Sequence, residues 1–487
     1  MILSVRGALL WSFAERYASL VVTIASTMVL ARLLTPTQVG IFSLCAAVTT
    51  VAGILRDFGV SEYLIQEKDL TRDKLRAAFG IAILIAWSIG AVVFSVRGMV
   101  ARYFGEPGVA DVLAVLSLNF LILPFASPAF ALLNREMEFR KIFVVQTISN
   151  TVQSVAAVGM AHAGYGYMSL AWAPVVSVAV QTLLLSYFRP RDTLLIPTLK
   201  QCGGVLRYGS MFISSRLIET LNRNSHEFLI AKFFGFNAVG MFSRAFGFMD
   251  LLNNNLTSAV QRVATPAFAS NHRAGKPIAE HFSRGTALLT CIAWPMLGYI
   301  ALMSDQILIV LFGQQWRFAA STTTILAIGA FPVYLSALAP NALVATGNIR
   351  SRLRVILIVC PIHISLLVIA SRFNLEAMAA VWLLSNSVGA FLNIKYLHHV
   401  LNTGYLDLIR TSIVSSGLSS ILTIGVQVFS IFFISTLKLN PGIEMIIVGI
   451  TSALTWIAAI HLAKHPIKSE IRQLFVFRRK RIENLNS

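Results

Sequence analysis

Charge is scarce in this chain. Of 487 residues only 13% are Asp, Glu, Lys or Arg, about half of the roughly 25% usual in a soluble domain. Acid is scarcer than base: 21 Asp and Glu stand against 40 Lys and Arg, a formal net charge of +19. Cysteine is rare too. Cys45, Cys291 and Cys360 lie in apolar runs and Cys202 in a polar linker. No CxxC spacing occurs, so neither a disulfide framework nor a zinc site is supported. No nucleotide-binding loop, DxD pair or metal-ligating cluster is visible, which argues against an enzyme. The histidines His162, His363, His398, His399, His461 and His465 have no ligand spacing. A cleaved leader is not expected either, because Glu15 and Arg16 interrupt the stretch after Arg6 and no small-residue cleavage site follows.

What is abundant is apolar sequence. Hydrophobic residues make up 56% of the chain and the mean hydropathy is +0.72. Apolar runs of about 20 residues, enough for a helix to cross a bilayer, recur along the whole length. Fourteen such segments are expected, near 8–31, 38–59, 78–97, 109–133, 142–161, 167–188, 208–231, 238–262, 285–304, 318–340, 353–371, 376–397, 410–436 and 441–463. The two-residue alternation of a barrel is absent, so the spans are helices. Placing the N-terminus in the cytoplasm puts 28 of the 40 Lys and Arg in inside segments and seven in outside ones. That bias predicts both termini on the cytoplasmic side. It includes the tail cluster Arg478, Arg479, Lys480 and Arg481, which reads as a topology determinant resting on anionic lipid. No nucleic-acid-binding motif accompanies it, and no nucleic-acid partner is expected.

The chain writes one passage twice. "ARLLTPTQVGIFS" (Ala31 to Ser43) returns as "AKFFGFNAVGMFS" (Ala231 to Ser243), with five of thirteen positions identical. Other pairs keep nearly the same offset: "YFG" ending at Gly105 with "LFG" ending at Gly313, and "MSLAW" ending at Trp172 with "MAAVW" ending at Trp382. Spans 1–6 and 7–12 therefore read as two copies of one unit, with spans 13 and 14 appended. Each copy has an even number of spans, so the repeats are parallel, with a site expected at their interface.

Several ionisable groups sit inside spans. Each Arg, Lys or Asp costs about 2.5–3.5 kcal/mol at a lipid-exposed helix centre, so most must face protein or water. Span 1 carries Glu15 and Arg16. Arg56 and Asp57 end span 2, where snorkelling accommodates them. In span 7, Arg216, Glu219, Arg223 and His226 follow at spacings of 3, 4 and 3, one helical stripe. Glu219 with Arg223, and Arg223 with Glu227, have the i,i+4 spacing of ion pairs. Span 8 carries Arg244 and a polar stripe of Asp250, Asn254, Ser258 and Gln261. Spans 1, 7 and 8 are thus expected to line a hydrated cavity. Its basic groups suit phosphate, which the planar guanidinium fork grips well. An anionic amphiphile fits, its head in the cavity and its tail in lipid.

The stretches "LARLLTPTQVGIFSL", "LRDFGVSEYLIQ", "ALLNREMEFRK", "AKFFGFNAVGMFSRA", "VATPAFAS" and "LFGQQW" occur in order. With them the chain resembles the polysaccharide-transport (Wzx-type) flippases of the MATE/MurJ-like exporter superfamily. The resemblance implies an all-α polytopic membrane protein of about 14 transmembrane helices: two six-helix lobes related by pseudo-two-fold symmetry, plus two C-terminal helices. On this chain the division is 1–190 for the N-terminal lobe, 191–207 for a cytoplasmic linker and 208–400 for the C-terminal lobe. Two further helices occupy 401–463 and a basic tail 464–487. The implied function is outward flipping of an undecaprenyl-pyrophosphate-linked oligosaccharide across the bacterial inner membrane, by alternating access and without ATP hydrolysis. Arg16, Arg216 and Arg223 become the pyrophosphate candidates. Glu15, Glu219, His226, Arg244, Asp250 and Asn254 become cavity-lining or coupling candidates, with H+ or Na+ as coupling ion. The implied partners are the lipid-linked glycan, membrane lipids, a polysaccharide polymerase and glycosyltransferases. In one place the chain departs from the family: many relatives have Asp before "LLIGKFLG", where this chain has "NSHEFLIAKFFG" with His226 and Glu227. The competing reading is a cation-coupled multidrug exporter of the MATE kind, which favours a net acidic cavity. A glycosyltransferase or polymerase is the third, and it lacks the acidic pairs and large outside loop such chemistry needs.

Overall fold

In the computed structural model the described residues are 5–67, 69–188, 197–198, 203–437, 439–463, 465 and 467. Every regular element among them is helical. The first half runs through α1 (Val5–Leu33), α2 (Pro36–Asp57), α3 (Val60–Gln66), α4 (Arg72–Phe104), α5 (Gly108–Ile122), α6 (Ser127–Arg135), α7 (Phe139–His162) and α8 (Tyr167–Phe188). The long α9 (Gly203–Arg273) follows. Then come α10 (Ala279–Leu302), α11 (Ser304–Phe312), α12 (Ala320–Ser336), α13 (Ala339–Ala345), α14 (Ile349–Ala370), α15 (Leu375–Leu401), α16 (Tyr405–Thr411), α17 (Gly417–Ser435) and α18 (Pro441–Leu462).

Local sequence explains the starts. Thr35 accepts from the Gln38 backbone N–H at 3.3 Å, and Gln38 Oε1 accepts from the Thr35 N–H at 3.0 Å, a reciprocal cap ahead of Pro36. Thr71, Asn374 and Asn440 cap α4, α15 and α18 in the simpler way. Twelve helical runs among the described residues are long and apolar enough to cross a membrane. The other two expected spans, 208–231 and 238–262, are the two arms of α9, whose charged residues keep them below that apolarity. No loop separates those arms. The chain reverses at Gly235 alone, with φ 79° and ψ 176°, a conformation open to glycine because it has no Cβ.

Several spans expected as single helices are broken. The run expected at 38–59 stops at Asp57 and turns through Phe58 (φ 39°) and Gly59 (φ 63°) into α3. The run at 109–133 is α5, a 3₁₀ turn at Leu123–Phe125 and α6. The run at 410–436 passes through a π-helical turn at Ser412–Ser416. These breaks do not interrupt the hydropathy, so an apolarity count cannot see them.

The chain gathers into two compact units, Met1–Ser243 and Arg244–Ser487. In the first, α7 packs on α8 and α1, and α4 on α5. In the second, α12 packs on α15 and α10, and α17 on α18. Small buried residues such as Ala77, Ala78, Ala86, Ala171, Ala287, Ala293 and Ala327 fill the contacts. Between helices in lipid, close packing replaces the hydrophobic drive. The repeat reappears as local structure. Gly105 and Gly313 both end a helix with positive φ, and Met137 and Gly347, 210 positions apart, both take positive φ just before α7 and α14.

Candidate functional site

Arg216, Glu219 and Arg223 share the first arm of α9 and are exposed. Their spacing puts them on one face, as read from the sequence. His226, one step further along that stripe, is different. It is 2% exposed. Its Nε2 lies 3.1 Å from Glu227 Oε2, and its ring sits 4.8 Å from that of Phe242. Ser243 Oγ donates to Glu227 Oε1 at 2.9 Å. The reversal at Gly235 causes this: it brings Phe242 and Ser243 back alongside His226 and Glu227. The stripe therefore has an open basic end and a closed end that ties the two arms together.

On α1, Glu15 and Arg16 are half-buried. Ser19 Oγ donates to Glu15 Oε1 at 3.5 Å, and Asn150 Nδ2 of α7 donates to Ser19 Oγ at 2.9 Å. In the second unit, the Arg244 guanidinium lies over the rings of Trp316 at 4.7 Å and Phe312 at 5.1 Å. Asn254 Nδ2 donates to Asp250 Oδ2 at 2.9 Å. The polar stripe expected there divides. Gln261 Nε2 donates to the Ala337 carbonyl at 3.0 Å, which makes it a brace, whereas Asn254 is exposed.

The first unit also holds a cavity of about 260 Å³. Arg56 and Asp57 from the end of α2, Ser61 of α3, Ser127 and Phe130 of α6, Gln146 of α7 and Gln181 of α8 are among its lining residues. Arg56 Nε and Nη2 donate to Asp57 Oδ1 at 2.9 and 2.6 Å, and the guanidinium lies 5.5 Å from the Phe120 ring. None of the site candidates taken from the sequence lines this cavity. The signal that points to it is two glutamines, Gln146 and Gln181, within apolar runs, where an amide needs a polar partner. Among the described residues no group of three or more His, Cys, Asp and Glu side chains could hold a metal ion.

Helical runs that cross a membrane, a glycine-reversed hairpin and a basic helix face define a multi-pass membrane protein of the MurJ and MATE architecture. The chain superposes on the lipid II flippase MurJ in its inward closed conformation with a TM-score of 0.77 and 12% identity, over 93% of this chain and 98% of that one. An inward-facing multidrug resistance MATE family transporter of the MOP superfamily gives a TM-score of 0.60 at 14% identity, over 79% of this chain and 94% of that one. The chain belongs to the polysaccharide biosynthesis protein family, whose profile matches residues 29–321. It is 24% identical over 312 residues to the lipopolysaccharide biosynthesis protein WzxC of Escherichia coli (strain K12), covering 63% of each chain. The succinoglycan biosynthesis transport protein ExoT of Rhizobium meliloti (strain 1021) is 24% identical over 323 residues, 65% of this chain and 64% of that one. The teichuronic acid biosynthesis protein TuaB of Bacillus subtilis (strain 168) is 23% identical over 331 residues, 65% and 66% of the two chains. The chain thus spans just under two thirds of the length of these relatives. The Wzx-type resemblance carried by the sequence motifs is borne out.

Proposed function

We propose that this protein flips an undecaprenyl-pyrophosphate-linked oligosaccharide across the bacterial inner membrane for polysaccharide synthesis, by alternating access. It acts as a transporter and not as an enzyme. Both termini lie in the cytoplasm, as the distribution of Lys and Arg argues. Membership of the polysaccharide biosynthesis family together with an exposed Arg216–Glu219–Arg223 face supports this reading. Two guanidinium forks on one helix face can engage a diphosphate, each through paired N–H donors. In this reading Arg16 joins them, while Glu15, Glu219 and Asp250 are the groups whose titration couples transport to H+ or Na+. Asn254 holds the Asp250 carboxylate, and Arg244 lines the path. A polymerase and glycosyltransferases supply and consume the substrate.

The test is a deletion strain. Lipid-linked oligosaccharide should accumulate on the inner leaflet, and re-expression should clear it. Normal surface glycan in the deletion strain would reject the reading. The MATE-like fold keeps one rival in view, export of hydrophobic cations. Saturable binding of such a cation to the purified protein, without binding of the lipid pyrophosphate, would favour the rival.

A further inference from the structure

We propose that the cavity in the first unit receives one pyranose ring of the glycan, and so reads sugar identity. The inference rests on the flippase reading and names a sugar subsite within it.

Size is the first argument. At about 260 Å³ the cavity falls just below the roughly 300 Å³ at which drug-sized pockets begin. One ring fits; an oligosaccharide does not. The cavity also holds uncommitted polarity. Among the described residues the side chains of Gln146 and Gln181 make no hydrogen bond, although both line the cavity. Each amide offers two donors and an acceptor, and both side chains are half-buried and accessible to an occupant of the cavity. A ring of hydroxyls, each both donor and acceptor, satisfies both amides at once. Ser61 and Ser127, whose hydroxyl oxygens are 3.4 Å apart, add to that set.

Charge argues against an anion. Asp57 already neutralises Arg56 at 2.6 Å. A phosphate would meet a guanidinium whose charge is already compensated and a carboxylate that repels it. A neutral polyol needs no such exchange and can bond to both partners of the pair. Phe130 lines the cavity too and adds apolar surface for the C–H face of a pyranose. Finally, the turn that carries Arg56 and Asp57 is strained. Phe58 holds φ at 39°, a conformation that bulky residues rarely adopt. Such strain gathers where a site must be held in place.

The experiment measures binding to the full-length protein in phosphatidylcholine nanodiscs. The probes are undecaprenyl pyrophosphate and its glucosyl and galactosyl derivatives. Wild type should bind at least one sugar-bearing probe about tenfold more tightly than the bare one, equivalent to about 1.4 kcal/mol. In Gln146→Leu/Gln181→Leu the preference should fall to within about twofold, with affinity for the bare probe unchanged. Gln181→Asn, which keeps the amide but shortens its reach, should weaken the preference in a folded protein even if the double variant misfolds. Equal wild-type affinity for all three probes overturns the proposal. So does a variant that loses bare and sugar-bearing probes alike. A preference that added phosphatidylglycerol abolishes assigns the cavity to a lipid headgroup and also overturns it. If wild type binds none of the three, the flippase reading itself fails, a distinct result.

Discussion

Gly40 and Gly240 pack against each other's passages in exchange. A methyl group on Gly40 would overlap the carbonyl of Phe236, and one on Gly240 would overlap the carbonyl of Pro36. Adding 200 to 40 and subtracting 200 from 236 turns one contact into the other. The twice-written passage is thus a backbone-to-backbone contact that only two glycines permit. Such an approach, with a hypothetical Gly40 Cβ only 2.9 Å from the Gly240 amide nitrogen, leaves no side chain to adjust. We expect Gly40→Ala and Gly240→Ala each to destabilise by about 1–3 kcal/mol, the usual cost of overpacking. Gly159→Ala, where a new methyl would meet nothing within 4 Å, should be neutral or stabilising by about 0.5–1 kcal/mol. Thermal unfolding in detergent compares the three.

The exposed arginines of α9 should separate function from folding. Arg216→Ala and Arg223→Ala remove charge from an exposed helix face, where losing an ion pair costs about 0.2–1 kcal/mol of stability. Surface glycan should nevertheless be abolished in each, with the protein still inserted at wild-type level. A double variant with normal glycan output would remove these residues from the site.

His465 gives the protein a pH dependence. Its Nδ1 accepts the Ile467 backbone N–H at 3.1 Å, and its Nε2 lies 2.9 Å from Ser416 Oγ. Burial pushes the imidazole below its ordinary value, which is about 6.5. The folded state therefore binds this proton less readily than the unfolded chain does. Its contribution to stability is present above pH of about 6.5 and is lost as pH falls below it toward the folded value. The melting temperature should drop between about pH 7.5 and about pH 5.5, and His465→Gln should lessen the drop. An unchanged drop in that variant would assign it elsewhere.

Trp316 is fully buried in the second unit beneath the Arg244 guanidinium. Truncation to Ala should cost about 3–5 kcal/mol. Trp316→Phe keeps a ring face for Arg244 and should cost less. Equal losses in the two variants would mean that the ring face contributes nothing.

Much of this was legible in the sequence. A bilayer demands long apolar helices, so composition alone exposes the spans and their class. The duplicated passage was legible because a backbone contact tolerates few residues. The stripe from Arg216 to Arg223 follows from helical geometry alone. His226 extends the stripe by its spacing, and the reversal at Gly235, which the spacing does not record, buries it against Phe242. The structure lays Arg244 over two aromatic rings and sets Gln261 against a backbone carbonyl, contacts that the pattern of one helix does not record.

The sequence by itself determined an all-helical, multi-pass, internally duplicated protein with a basic helix face. These properties depend on residues close in number or on a repeat at a nearly constant offset. Only the tertiary structure decided that Arg56 and Asp57, which look like an end-of-helix pair, share a cavity with Gln146 and Gln181. Those residues come from α2, α7 and α8, and their meeting depends on how helices pack and where they break. Periodicity along a single helix carries no record of either.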